Sequence, residues 1–479
     1  MIRLEEATTL LKMFYRKIAM PNTKIKLLIR TCCLALCSYI TSISVAQIVS
    51  DSAILYDLRM QNGNEFGHAM AIDGDLIVAS GVRARATGSN FPTGVVYVID
   101  SSTNLIVSEL FPPEHKYESL FGWSVDIDGN LVVVGARDSD TRGNLAGSAY
   151  LFNGNTGDLL FELIPSISED LDKFGTSVAI SDGLIAIGSR RSLNDHGRVH
   201  LFSAFTGEEL LILHSPNPSP NDIFGGAVEF HDDFLAVGSA GSDVVLENAG
   251  AVYVFSTTNF ELIHTVTPSD FDLEFGRGFG VAISAHSGIM AVSAIFDHDQ
   301  RSRSGAVYLY DIQSGNELRK IKSETPLEGQ HFGISIHLSK DMLVVGARDN
   351  YFGHNSGIVY MMSRHSGKQL ARLAPDDGRQ EYYIGQSVVA TDGYEVWAGA
   401  PGHREPSTNW ETGAVYYFDC FGTICPADLS GDLRVNIDDV ELFLNYYNTN
   451  QPEADFNGDN AFNYFDISAF LQNAYTNCL

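Results

Sequence analysis

A Phe-Gly pair recurs along this chain, with Phe66, Phe121, Phe174, Phe224, Phe279 and Phe332 each followed by glycine, and Ile384-Gly385 takes a seventh place at the same spacing. The intervals run from 50 to 55 residues. A period of that length marks a supersecondary unit that cannot bury its apolar face alone and must pack on its neighbours. The repeat therefore limits the chain to ring or stack architectures before any single residue is considered.

Within each repeat the order of signals is constant. The Phe-Gly pair opens a first strand, as in residues 123–127, and a tight turn follows, as at Asp73-Gly74, Asp128-Gly129, Asp182-Gly183 and Asp392-Gly393. Asp-Gly between apolar runs is a hairpin signal because glycine accepts positive φ. A more apolar second strand ends in a small pair such as Gly135-Ala136, Gly188-Ser189, Gly346-Ala347 or Gly399-Ala400. Such small ends are expected to allow close approach near a crowded axis. After a variable loop, a third strand opens on glycine and reaches tyrosine three residues later, as at Gly94 and Tyr97 or Gly413 and Tyr416. A turn such as Thr156-Gly157 leads to a fourth strand.

Four short antiparallel strands per repeat describe a propeller blade. The fold class is thus all-β, a seven-bladed β-propeller over residues 47–421. The seventh repeat lacks a fourth strand, and residues 54–58 form a fourth-type strand with no repeat before them. Pairing the two would close the ring and remove its free edges.

These repeats resemble the FG-GAP family, whose propellers occur in integrin α-chains and bacterial surface proteins; Gly399-Ala400-Pro401 carries its second signature. Many members hold calcium in an acidic loop between the first two strands. The corresponding turns here are short and lack spaced acids, so no metal is expected in the blades.

Residues 1–46 read as a signal peptide, with Lys24, Lys26 and Arg30 preceding an apolar stretch and Ser44-Val45-Ala46 supplying small residues for cleavage. A short membrane anchor is the alternative. Removing this segment takes seven basic and two acidic residues and moves the net charge from −28 to −33. So acidic a surface repels nucleic acid and anionic membrane. The expected location is secreted or cell-surface, with no membrane span in the mature chain. Of six cysteines, Cys420, Cys425 and Cys478 remain; Cys425 and Cys478 bracket the last segment and are the preferred disulfide.

Residues 422–479 change character. Asp428, Ser430, Asp432, Arg434, Asn436 and Asp439 occupy positions 1, 3, 5, 7, 9 and 12 of one frame. Asp455, Asn457, Asp459, Ala461, Asn463 and Asp466 repeat that frame 27 residues later. Oxygen side chains at this spacing, with a backbone carbonyl at position 7, suit calcium. Apolar, helix-like stretches follow each loop, giving a small α-helical calcium-loop pair. The pair resembles a type I dockerin, an EF-hand-like module, and the resemblance implies two Ca²⁺ bound through these residues and a cohesin-like partner. The usual Ser-Thr recognition pair is replaced by Ile437-Asp438 and Tyr464-Phe465.

No nucleophile elbow, zinc helix or phosphate loop is present in the sequence. Asp297, His298 and Asp299 read as a solvated charged loop. The variable loops all emerge on one face, where Arg137, Arg190 and Arg348 hold equivalent places; they either form a partial ring for an anionic or sugar ligand or pair with Asp138, Asp195 and Asp349. His403 and Trp410 could stack on a sugar or pack on the adjacent blade. The expected function is non-catalytic binding or scaffolding, the partner being an extracellular protein or glycan. The alternative is a component of extracellular polysaccharide degradation. A quinoprotein-type propeller enzyme is discounted because the fourth strands carry Leu, Ile or Phe where such enzymes usually have Trp.

Overall fold

The computed structural model describes residues 48–49, 53–56, 62–86, 89, 91–114, 118–270, 278–348, 355–375, 381–392, 394–405, 410–420, 429, 437–449, 451, 454 and 466–470. Compactness divides the chain into one unit of Ile48–Gly367 with Arg372–Asp419 and a second that contains Cys420–Leu479.

Among the described residues the first unit holds seven sheets, each with antiparallel strands taken in chain order from one repeat and two of them completed or extended by strands from before the first repeat. Blade 2 shows the pattern: Phe121–Asp128 pairs with Leu131–Ala136, which pairs with Ser148–Asn153, which pairs with Leu159–Leu163. Blade 7 takes Ser387–Ala390, Glu395–Ala400 and Ala414–Asp419 from the last repeat. Its fourth strand is Ala53–Leu55, with Ile54 opposite Tyr416. The ring closes as the unpaired strand predicts. Residues Ile48–Val49 also add a parallel strand to the outer edge of blade 6, opposite Arg372 and Leu373.

The core lies between blades. Phe121, Val132 and Tyr150 of blade 2 pack with Val96, Val98 and Leu110 of blade 1, and the other seams carry comparable clusters. Each Phe of the Phe-Gly pair is buried and meets a third-strand ring edge-on or tilted, as in Phe66–Tyr97 at 5.3 Å and Phe224–Tyr253 at 5.8 Å. Complete burial of one such side chain contributes about 1.5–3 kcal/mol. Blade 3 departs from the pattern, with His200 in the tyrosine position, 5.2 Å from Phe174.

The axis is lined by the first strands. The close approach expected of the small second-strand ends is made to the next blade. At Gly67, with φ of +87°, an added Cβ would lie 2.5 Å from the Ala414 carbonyl and 2.8 Å from Gly399 Cα. Gly135, Gly188 and Gly238 face the Phe-Gly glycines of their own following blades in the same way, and Gly346 faces Gly385 of Ile384-Gly385. Serine hydroxyls tie several seams: Ser124 donates to the Gly175 carbonyl at 3.0 Å, Ser177 to Gly225 at 2.8 Å and Ser387 to Gly67 at 2.9 Å.

In the second unit, the helix Ile437–Asn448 and the helical residues 466–470 bring Phe443 and Phe470 into a stack at 4.3 Å with 13° between planes. Among the described residues no helix is long and apolar enough to cross a membrane.

The seam contact yields a direct comparison. Gly67→Ala should destabilise the propeller by about 4 kcal/mol, combining positive-φ strain with backbone overlap. Gly74→Ala, where nothing lies within 4 Å of the added carbon, should cost about 1 kcal/mol. Urea unfolding of both variants decides this; equal losses would show that the seam can relax.

Candidate functional site

The first strands leave one sheet edge facing the axis, and an edge carries N–H groups without strand partners. Side chains from the preceding blade satisfy several of them. Asp126 accepts from the Ile180 N–H at 2.7 Å, Glu229 from Ala285 at 3.1 Å, and the Ser284 hydroxyl from Leu338 at 3.0 Å. These residues, with His337, sit five positions after the Phe of their repeats; blades 1, 3 and 7 have Ala71, Ala179 and Val389 there. One layer towards the Asp-Gly turns, Asp73 accepts from Gly129 at 2.6 Å, Asp128 from Asp182 at 2.9 Å and His231 Nε2 from Gly288 at 2.9 Å.

The result is an axial cavity of about 530 Å³ with carboxyls on blades 1, 2, 4 and 7 and imidazoles on blades 5 and 6. The Asp126 and Glu229 tips touch the lumen, but seven strands surround them, so the solvent they meet is confined. Burial pushes the Asp126 carboxyl up to about 7 against its bond from Ile180, with Asp128 and Asp73 adding repulsion. Burial, then the Asp126 charge, pushes Glu229 up to about 8. Burial lowers His337 to about 4, so its imidazole is neutral.

At the other end of the channel lies the loop face. Trp123, two residues after Phe121, packs with His68 at 4.5 Å between ring centres and carries the Arg137 guanidinium 3.2 Å above its ring. Burial, followed by the charges of Arg137 and Arg83, lowers His68 to about 4. Arg137 Nε lies 3.3 Å from Asp138, which also accepts from Lys173 Nζ at 2.8 Å. Burial lowers Arg137 to about 10, opposed by Asp138 and reinforced by Arg190.

The sequence-derived candidates separate on this surface. Arg137 and Arg190 follow the second strands of adjacent blades 2 and 3. Arg348 follows that of blade 6. Asp195 binds Arg191 at 2.9 Å rather than Arg190; Asp349 lies outside the described residues. His403 is fully buried among Tyr56, Tyr382 and Tyr416, with ring distances of 5.3, 4.6 and 5.8 Å, so it presents no face to a ligand. Trp410 is 47% exposed. Of the calcium-loop positions, Asp439 and Asp466 are described and both are buried. Asp428, Ser430, Asp432, Arg434, Asn436, Asp455, Asn457, Asp459, Ala461 and Asn463, together with Cys425 and Cys478, lie outside the described residues. Cys420 is buried.

The Asp297–Asp299 segment is not a solvated loop. Asp297 is fully buried, and Lys320 Nζ reaches Asp270 at 2.5 Å, Asp297 at 2.8 Å and Asp299 at 2.5 Å. The Tyr308 hydroxyl donates to Asp270 at 2.6 Å. Burial disfavours the ammonium, but its three carboxylate bonds prevail and raise its pKa. A resident cation thus already holds this acidic group. Sequence reading missed the axial layer, although aligning the repeats would expose it as one position that alternates between small and polar residues.

The FG-GAP repeat family model matches residues 107–152 and 210–255. Blades 2 and 4 carry FG-GAP repeats. Both matches begin in the outer strand of one blade and end in the third strand of the next, so each FG-GAP unit spans a seam. No curated protein matches the chain.

The raised carboxyls set a pH dependence. The folded state keeps protons on Asp126 and Glu229 at pH values where the unfolded chain has lost them. Their contribution is fully present below about pH 4 and is lost as pH rises towards about 8. The double variant Asp126→Asn, Glu229→Gln should flatten this decline while keeping an acceptor for each N–H. Urea midpoints measured from pH 5 to 8.5 provide the check, and parallel slopes for the two proteins would mean that the carboxyls are freely solvated.

Proposed function

We propose that this is an exported, non-catalytic binding or scaffold protein that recognises an extracellular protein or glycan with the loop face of its propeller. The observation that carries this reading is architectural. Loops of differing sequence emerge together from a ring whose seams are fixed by backbone contacts, and binding residues concentrate on loops held by a rigid scaffold. Most of the channel's carboxyls are engaged in capping strand edges, a structural task that accounts for their presence there.

The C-terminal module supplies calcium-dependent attachment in this proposal, to a cohesin-like or other extracellular partner. Two Ca²⁺ would be held by the paired twelve-residue frames. Support comes from Asp439 and Asp466, which close the two frames, are both buried and lie at corresponding points before the stacked Phe443 and Phe470. A carboxylate removed from bulk water at this position suits a hard cation.

Calorimetric titration of the full chain should find two calcium ions per molecule. Asp439→Ala and Asp466→Ala should each remove one, and chelator should melt the module while leaving the propeller transition unchanged. The binding role itself is tested by retention of native cell-wall glycans or secreted proteins on the immobilised chain, with and without calcium. The absence of both calcium heat and any retained component would overturn the proposal.

A further inference from the structure

Arg137 and Arg190 occupy the same register in neighbouring blades, each directly after a second strand, so the ring brings two guanidiniums together at the loop-face mouth of the channel. Both are partly buried. Arg190 makes no hydrogen bond and no ion pair within 4 Å among the described residues, and Arg137 Nε has no hydrogen-bond acceptor despite its 3.3 Å approach to Asp138. Asp138 is already held at 2.8 Å by Lys173. Arg137 and Lys173 therefore share one carboxylate, and the Arg190 charge lies near enough to oppose that of Arg137.

Arg137 Nε is buried without a well-aligned hydrogen-bond acceptor and so loses solvation with little return. The proximity of Arg190 adds repulsion between like charges. Both costs are relieved by one kind of ligand: a planar or tetrahedral oxyanion accepting from two N–H forks. A neutral ligand would relieve neither. The corresponding loops of blades 1 and 7 present Phe91 and Trp410, 49% and 47% exposed. Blades 7, 1, 2 and 3 are consecutive around the ring, so the two loops with exposed aromatic rings come directly before the two that carry the guanidiniums. That order suits an extended polymer that offers both sugar-ring faces and acidic groups along its length.

We propose that Arg137 and Arg190 bind the oxyanion groups of an acidic polysaccharide, uronate or sulfate, across the mouth of blades 2 and 3. This rests on the binding role proposed above and names its ligand class. Trp123 is a positioning residue in it, since its ring stacks against the Arg137 guanidinium at 3.2 Å and fixes its plane.

The test is calorimetric titration of the full chain with four probes: polygalacturonate, dextran sulfate, neutral dextran and poly-L-glutamate. At least one acidic polysaccharide should bind and neutral dextran should not; the uronate and sulfate arms identify the group. Arg190→Gln should weaken binding at least tenfold with an unchanged unfolding midpoint, as should Arg137→Gln. Lys340→Gln, in an Asp-Gly-type turn on the opposite face, should change it less than twofold. If Arg137→Gln disturbs folding, Arg190→Gln decides alone. Binding that survives Arg190→Gln, arginine-dependent binding of poly-L-glutamate equal to that of the polysaccharides, or silence from both acidic polysaccharides would overturn the proposal. Native material retained equally by wild type and Arg190→Gln would remove this site while leaving the general binding role intact.

Discussion

Each blade leans on the next through a contact that only very small residues permit. The Gly67 backbone lies against Gly399, and the same approach recurs at the seams marked by Gly135, Gly188, Gly238 and Gly346. Ser80 and Ser293 replace the second-strand glycine at two others, against Gly122 and Gly333. With no side chain between them, adjacent sheets come close enough for serine hydroxyls to reach carbonyls across the seam. The Phe beside each glycine can then drop fully into the neighbouring core. The apolar clusters supply the larger energy, but the glycines set the spacing at which those clusters fit.

Close spacing at the axis also creates the polar problem that the channel residues solve. Seven edges converge, and their N–H groups need acceptors where bulk water is scarce. Asp126 and Glu229 meet that need, and the raised pKa of each carboxyl reflects the penalty of doing so with a group that would otherwise ionise. Ser284 performs the same task without charge. The axial chemistry is therefore a consequence of ring closure, whereas at the loop face Arg137 packs on Trp123 and Arg190 makes no ion pair among the described residues.

Much of this was legible in the sequence because the repeat is written in backbone requirements. Phe-Gly, Asp-Gly and the glycine that opens each third strand are fixed by φ and by close approach, so their spacing gave blade number, strand order and the closing strand near residue 54. Side-chain roles were less legible. Nothing in the local sequence distinguishes His403, enclosed by three tyrosines, from an exposed loop histidine. Asp297 reads as part of a hydrophilic loop because its partner Lys320 is distant in sequence and arrives only through the outer strand of the same blade. The second strands, apolar on both faces, are legible as strands covered by neighbouring blades, but nothing in their sequence says that the first strands line the axis.

The strand Ala53–Leu55 precedes every blade in the chain, yet its partner Ala414–Asp419 follows nearly all of them. As the polypeptide emerges, this segment has no edge to join until the last repeat exists. Six blades can assemble in order from neighbouring residues, but the seventh waits on both extremities of the domain. The cost of bringing such distant segments together grows only slowly with their separation, so the delay is one of sequence and not of stability. Until that moment the ring has an open gap, and a truncated or stalled chain would keep it. A molecule that lacks its final repeat would therefore keep unpaired strand edges, which are sites for pairing with another chain.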